Sequence, residues 1–165
     1  MVFQVAVCGP GECSAQERGQ AYRVGELLAE HGSVVVCGGG AGVMAAVAEG
    51  ARSRGGLVIG IRPDRDRGTA SPHLSAVVLT GMGEARNAVI VASADAVIAV
   101  GGSWGTLSEI ALAKRRGGIP VVSLTGWHLT DAQGAPVSGI TYVATAEEAV
   151  AEALAAQASR GGRGA

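Results

Sequence analysis

The sequence predicts a doubly wound α/β domain, a mainly parallel sheet with helices on both faces. Three observations carry that expectation. Short apolar runs alternate with helix-length segments along nearly all of the 165 residues. The runs are continuously apolar, as strands covered on both faces are. Three of them lead directly into glycine-bearing turns, at Cys8-Gly9-Pro10-Gly11, at Cys37-Gly38-Gly39-Gly40-Ala41-Gly42 and at Gly101-Gly102. Strands and helices in strict alternation, joined by right-handed crossovers, give a parallel sheet whose ligands bind beyond the carboxyl ends of the strands. The three turns are therefore expected at one edge.

Taken in order, strands are predicted at Phe3–Cys8, Ser33–Cys37, Gly56–Ile61, Ala76–Thr80, Asp95–Val100, Ile119–Leu124 and, briefly, Ile140–Val143. Helices are predicted near Ala15–His31, Gly42–Arg54, Glu84–Ala94, Ser103–Arg116 and Ala146–Ala158, the last with Thr145 as N-cap and Glu147 and Glu148 in its first turn. The charged, proline-bracketed segment from Arg62 to Pro72 reads as a loop, either a solvated surface or a flap over the site. Residues 1–158 form one predicted domain. Ser159–Ala165, rich in Gly and Arg, is expected to be a disordered tail.

Composition narrows the function. Hydrophobic residues make up 48% and aromatics 3%, so the core must be built from Ala, Val, Ile and Leu in tight layers. A net charge of −1 gives no electrostatic case for a nucleic-acid partner. No apolar run reaches about 18 residues, so no membrane span is expected. The start, Met1-Val2-Phe3-Gln4-Val5-Ala6-Val7, reads as a strand with no basic leader, and the expected location is the cytoplasm. Cys8, Cys13 and Cys37 show no zinc spacing and no CxxC pair, although Cys8 and Cys37 both fall at strand ends. His31, His73 and His128 are scattered, and no metal site is predicted.

Two familiar motifs fail. Gly9-Pro10-Gly11-Glu12-Cys13-Ser14 lacks the third glycine of the dinucleotide fingerprint, and the second strand ends at Val36-Cys37 with no acid for a ribose hydroxyl. No phosphate-binding GxxxxGK[ST] loop is present. The single lysine, Lys114, stands with Arg115 and Arg116 in the last turn of a helix, where cations complement the dipole. A chemistry that needs a catalytic lysine on pyridoxal phosphate has none near the glycine turns, and no cofactor is predicted.

The most informative stretch is Gly101-Gly102-Ser103-Trp104-Gly105-Thr106-Leu107-Ser108-Glu109. Glycines allow a ligand to approach the backbone, and the first amides of the following helix favour an anion. Glu109 follows about one turn later. The second element is Gly81-Met82-Gly83-Glu84-Ala85-Arg86-Asn87. Arg86 at a helix start is disfavoured by the dipole, a cost offset by a bound anion, by a carboxylate such as Glu109, or by a structural ion pair. Asn87 can cap the helix or bind a ligand. Trp104 can stack on a base, pack at a subunit contact or join the core.

With these residues in view, the chain resembles the Lonely Guy family, once misnamed lysine decarboxylases. Gly101–Glu109 is similar to its PGGxGTxxE motif, the Arg86 segment to its arginine-bearing helix start, and Gly38-Gly39-Gly40-Ala41-Gly42-Val43-Met44 to its glycine turn. Val100 replaces the proline of the first motif. Asn87 stands where cytokinin-activating members carry lysine. Both departures resemble a sister branch that contains the molybdenum-cofactor carrier proteins. The resemblance implies a Rossmann-like nucleotide-binding domain and a nucleoside 5′-monophosphate phosphoribohydrolase, which cleaves the N-glycosidic bond to free base and ribose 5-phosphate. Its alternative is a non-catalytic carrier of a nucleotide or a phosphorylated pterin. Carried over residue by residue, Arg86 and Glu109 are the catalytic pair. Gly101, Gly102, Ser103, Gly105 and Thr106 hold the phosphate, and Gly9, Gly39, Gly40, Gly42, Met44 and Asn87 complete the site. The family also implies a homodimer.

Overall fold

The computed structural model describes residues 1–161. Among them, seven strands form one sheet: β1 (Gln4–Cys8), β2 (Val34–Cys37), β3 (Val58–Arg62), β4 (Ala76–Leu79), β5 (Ala96–Val100), β6 (Val121–Leu124) and β7 (Thr141–Val143). The helices are α1 (Ala15–Glu30), α2 (Val43–Ser53), α3 (Asn87–Ala92), α4 (Trp104–Arg116) and α5 (Ala146–Gly161). Every strand pair is parallel, in the order β4-β3-β2-β1-β5-β6-β7. The chain builds outward from β1 to β4 and then returns to place β5 on the other side of β1. The strand order reverses there, and a crevice opens above the C-terminal ends of β1 and β5.

Side-chain alternation explains the two layers. Val5 and Val7 face one side of β1 and pack with Val35, Cys37, Ile98 and Val100 beneath α1, α2 and α5. Ala6 and Cys8 face the other, with Val36, Val97 and Ala99 beneath α3 and α4. Small glycines bring α1 and α2 close: a Cβ on Gly50 would lie 2.0 Å from the Tyr22 carbonyl oxygen. The same alternation separates two cysteines. The register Ala6↔Val36 sets Val7 opposite Cys37, so Cys8 points to the opposite face, and the two thiols cannot pair.

Helix starts follow the local sequence. Ser14 and Glu17 form a reciprocal capping box on α1, Glu17 N–H donating to Ser14 Oγ at 3.1 Å and Ser14 N–H to Glu17 Oε2 at 2.7 Å. Thr145 and Glu148 do the same for α5, at 3.2 and 3.1 Å. Lys114, in the last turn of α4, donates to the Gly139 carbonyl at 2.9 Å.

Two expectations are corrected. The predicted helix at Glu84–Ala94 is a 3-10 turn, Gly83–Arg86, followed by the short α3, and Arg86 sits at the junction. Gly83 enters that turn with φ +55°, which keeps the first residues off the α-helical path. Helix α5 runs to Gly161, beyond its predicted end at Ala158, and residues 162–165 of the expected tail lie outside the described residues. The loop after β3 is a solvated surface over residues 64–69, as one of its two readings expects, and is tied down at its ends. Arg62 is buried and donates to Gly39 O at 3.4 Å, to Thr69 Oγ1 at 2.8 Å and to Asp64, while Ser71 N–H donates to Gly39 O at 3.0 Å. None of the helices among the described residues is long and apolar enough to cross a membrane.

Candidate functional site

A cavity of about 160 Å³ opens at the strand-order reversal, lined from several distant segments. The β1 turn supplies Cys8, Gly9, Pro10 and Gly11; the β2 turn and α2 supply Gly38 and Met44. Glu84, Arg86 and Asn87 come from the 3-10 turn and the start of α3, and Ser103, Gly105, Thr106 and Glu109 from α4. Arg86 and Glu109, 23 positions apart in the chain, thus face one space.

The α4 end of the cavity gathers hydrogen-bond donors at a helix start. Ser103 is the N-cap, its Oγ accepting the Thr106 amide at 3.2 Å and lying 2.9 Å from Thr106 Oγ1. Leu107 N–H is taken by Ser103 O, whereas the amides of Trp104 and Gly105 precede any intrahelical acceptor. The hydroxyls of Ser103 and Thr106 and the amide of Gly105 therefore meet in the cavity at the positive end of the helix dipole.

The same cavity carries ionisable groups, with Glu109 about one helical turn along α4 from Thr106. Glu109 lies on the buried face of α4, and its burial pushes the carboxyl up to about 7. The Cys8 thiol, which donates to Glu109, and the positive charge of Arg86 act against that rise, and the charge of Glu84 adds to it. Burial, and then the Glu109 charge, holds the Cys8 thiol well above its ordinary value, so it stays a neutral donor. Arg86 makes no hydrogen bond or ion pair among the described residues, and its buried Nε is without a partner. The structural ion pair considered for Arg86 does not form. Its guanidinium instead lies over the β2 turn, where a Cβ on Gly38 would come 2.5 Å from Nη1 and 2.6 Å from Met44 Sδ. Asn87 is buried and donates to Ser108 Oγ at 2.9 Å, which joins α3 to α4 beside the cavity.

Of the residues singled out from the sequence, Gly9, Met44, Arg86, Asn87, Ser103, Gly105, Thr106 and Glu109 line the cavity together. Gly39, Gly40, Gly42, Gly101 and Gly102 do not. Gly42 shapes the turn: at φ +62° a Cβ would lie 2.3 Å from Pro10 O, so only glycine lets the β1 and β2 turns touch. Gly39 and Gly40 pack toward Arg62. The Gly101 amide is spent on the Leu124 carbonyl at 3.0 Å, Glu17 lies against its α-carbon, and the Trp127 ring covers Gly102. The donors that α4 offers to the cavity thus begin at Ser103, the residue directly after the glycine pair. Trp104 is 79% exposed and meets Trp127 edge-on at 5.2 Å, which removes core packing as its role. Glu84 was missed, since a surface glutamate in a short turn carries no periodic signal; only the fold brings it to the cavity.

Relatives agree with this architecture. The structure of the molybdenum cofactor binding protein from the phototrophic bacterium Rippkaea orientalis superposes with a TM-score of 0.82 at 33% identity, covering 92% of this chain and 94% of that one. An uncharacterized protein of Archaeoglobus fulgidus is 49% identical over 116 residues, 70% of this chain and 76% of its own. A probable cytokinin riboside 5′-monophosphate phosphoribohydrolase of rice, Oryza sativa subsp. japonica, is 34% identical over 108 residues, 62% of this chain and only 44% of its own length. Residues 2–152 match the SLOG cluster4 family, and the chain belongs to that family.

Proposed function

We propose that this protein is a nucleoside 5′-monophosphate phosphoribohydrolase. The observation that carries the reading is the meeting of Arg86 and Glu109 in one cavity that also takes in the start of α4. The 5′-phosphate binds Ser103, Gly105 and Thr106, which leaves the ribose over Glu109 and Arg86. Phosphate binding far from the scissile bond fixes the reacting atoms without acting on them.

The chemistry follows from the ionisation of Glu109. Breaking the C1′–N bond leaves positive charge on the ribose and an electron pair on the base. With its carboxyl near 7, Glu109 carries a proton to give the departing base at neutral pH. The carboxylate that remains stabilises the adjacent oxocarbenium-like sugar. Arg86 cannot serve as an acid, because a guanidinium does not release its proton. It orients Glu109 and the ribose and favours the carboxylate form as charge develops. Similarity to the rice phosphoribohydrolase supports this reading. The protein is read as a cytoplasmic homodimer that binds neither nucleic acid nor membrane.

Chromatography of a panel of purine and pyrimidine monophosphates incubated with the purified protein tests the reading. Wild type is expected to release free base and ribose 5-phosphate in equal amounts. Glu109→Gln is expected to lower the rate by about a thousandfold or more while still binding nucleotide. A panel left intact by wild type contradicts the proposal.

A second reading has its own support. Similarity to the Rippkaea molybdenum cofactor binding protein, and Asn87 engaged with Ser108 beside Arg86, favour a carrier whose cargo is a phosphorylated pterin. The same hydroxyls and amides would take the cargo's phosphate. Saturable binding of a pterin phosphate, with no product from any nucleotide, is the result that selects it.

A further inference from the structure

We propose that Glu84 is a second catalytic carboxylate of this cavity, the base that takes a proton from the attacking water. The proposal rests on the hydrolase reading and completes it, since Arg86 and Glu109 leave the nucleophile without a base. Glu84 lies in the 3-10 turn Gly83–Arg86, two residues before Arg86, and lines the same cavity as Glu109. It is exposed, and its carboxylate makes no hydrogen bond or ion pair among the described residues, so no structural task accounts for it. The other charged or titratable groups lining the cavity are Arg86, Glu109 and the Cys8 thiol.

The two carboxyl groups sit in different surroundings. Glu109 is buried on α4, while Glu84 stands on the rim, where solvent water is available. Their charges interact, the Glu84 charge opposing ionisation of Glu109. A pair of carboxyl groups with separated environments divides the acid and base roles of glycosidic cleavage. The water oxygen bonds to C1′ as the C1′–N bond breaks, and the bonding pair stays with the base. One water proton goes to Glu84, and the Glu109 proton goes to the base. Exchange with solvent restores both carboxyl groups.

The experiment measures cleavage of AMP, or of the panel member that wild type cleaves fastest, by wild type, Glu84→Ala and Glu84→Gln, with and without sodium azide. Azide is an anionic nucleophile that needs no base. Both variants are expected to lose about a hundredfold or more in kcat, with the melting temperature unchanged. Azide is expected to restore Glu84→Ala and to yield a ribosyl azide 5-phosphate, and to leave Glu109→Gln slow. Variants as fast as wild type overturn the proposal, and so does a slow Glu84→Ala that azide fails to rescue. Absence of product from wild type itself is the failure of the hydrolase reading, and the wild-type arm alone reveals it.

Discussion

Among single residues, one carboxyl is made reluctant to ionise by folding. Glu109 is pushed up to about 7 from an ordinary value of 4.5, chiefly by burial. The folded state then holds a proton that the unfolded chain has released, so between about pH 4.5 and 7 stability falls as pH rises. The loss approaches about 1.4 kcal/mol per pH unit inside that window and levels off above it. Glu109→Gln removes the buried charge while keeping the shape. It is expected to raise the melting temperature relative to wild type at pH 8, with the gain vanishing towards pH 4.5. Calorimetric melts across that range check this, and a variant less stable than wild type at pH 8 would show that the carboxylate is compensated. Cys8 belongs to the same balance, since its thiol donates to Glu109 and stays neutral.

At the scale of elements, the cavity depends on turns that bring strand ends together. The β1 and β2 turns touch at Gly42, where Val43 N–H donates to Pro10 O at 3.1 Å and a Cβ would meet Pro10 O at 2.3 Å. Gly42→Ala combines a positive φ with a backbone clash and is expected to cost about 2 kcal/mol or more, read as a lower urea midpoint at constant m-value. Stability within about 0.5 kcal/mol of wild type would mean that the turn relaxes freely. These turns were legible because glycine directly after an apolar run is a local signal. The α5 cap was local too: Thr145 reads as an N-cap from its position before Glu147 and Glu148. The 3-10 turn was hidden, because Glu84–Ala94 carries a continuous helical pattern and only the Gly83 backbone interrupts it.

At the scale of the whole molecule, the parallel sheet was readable from strand–helix alternation, and its strand order places the cavity where β5 crosses to the far side of β1. That eight of the site residues chosen from sequence share one cavity follows from this topology. Contacts between distant segments were beyond the pattern. Nothing near Gly101 in sequence announces that Glu17 and Trp127 cover it and its neighbour, or that Leu124 takes its amide. The exposure of Trp104 likewise depends on the 125–139 connection that carries Trp127. The most direct measurement is a crystal structure of Glu109→Gln with AMP. The phosphate is expected within hydrogen-bond reach of Ser103, Gly105 and Thr106, and the ribose C1′ between positions 84 and 109 beside Arg86. Phosphate density on Gly101 and Gly102, or a nucleotide bound outside this cavity, would contradict it.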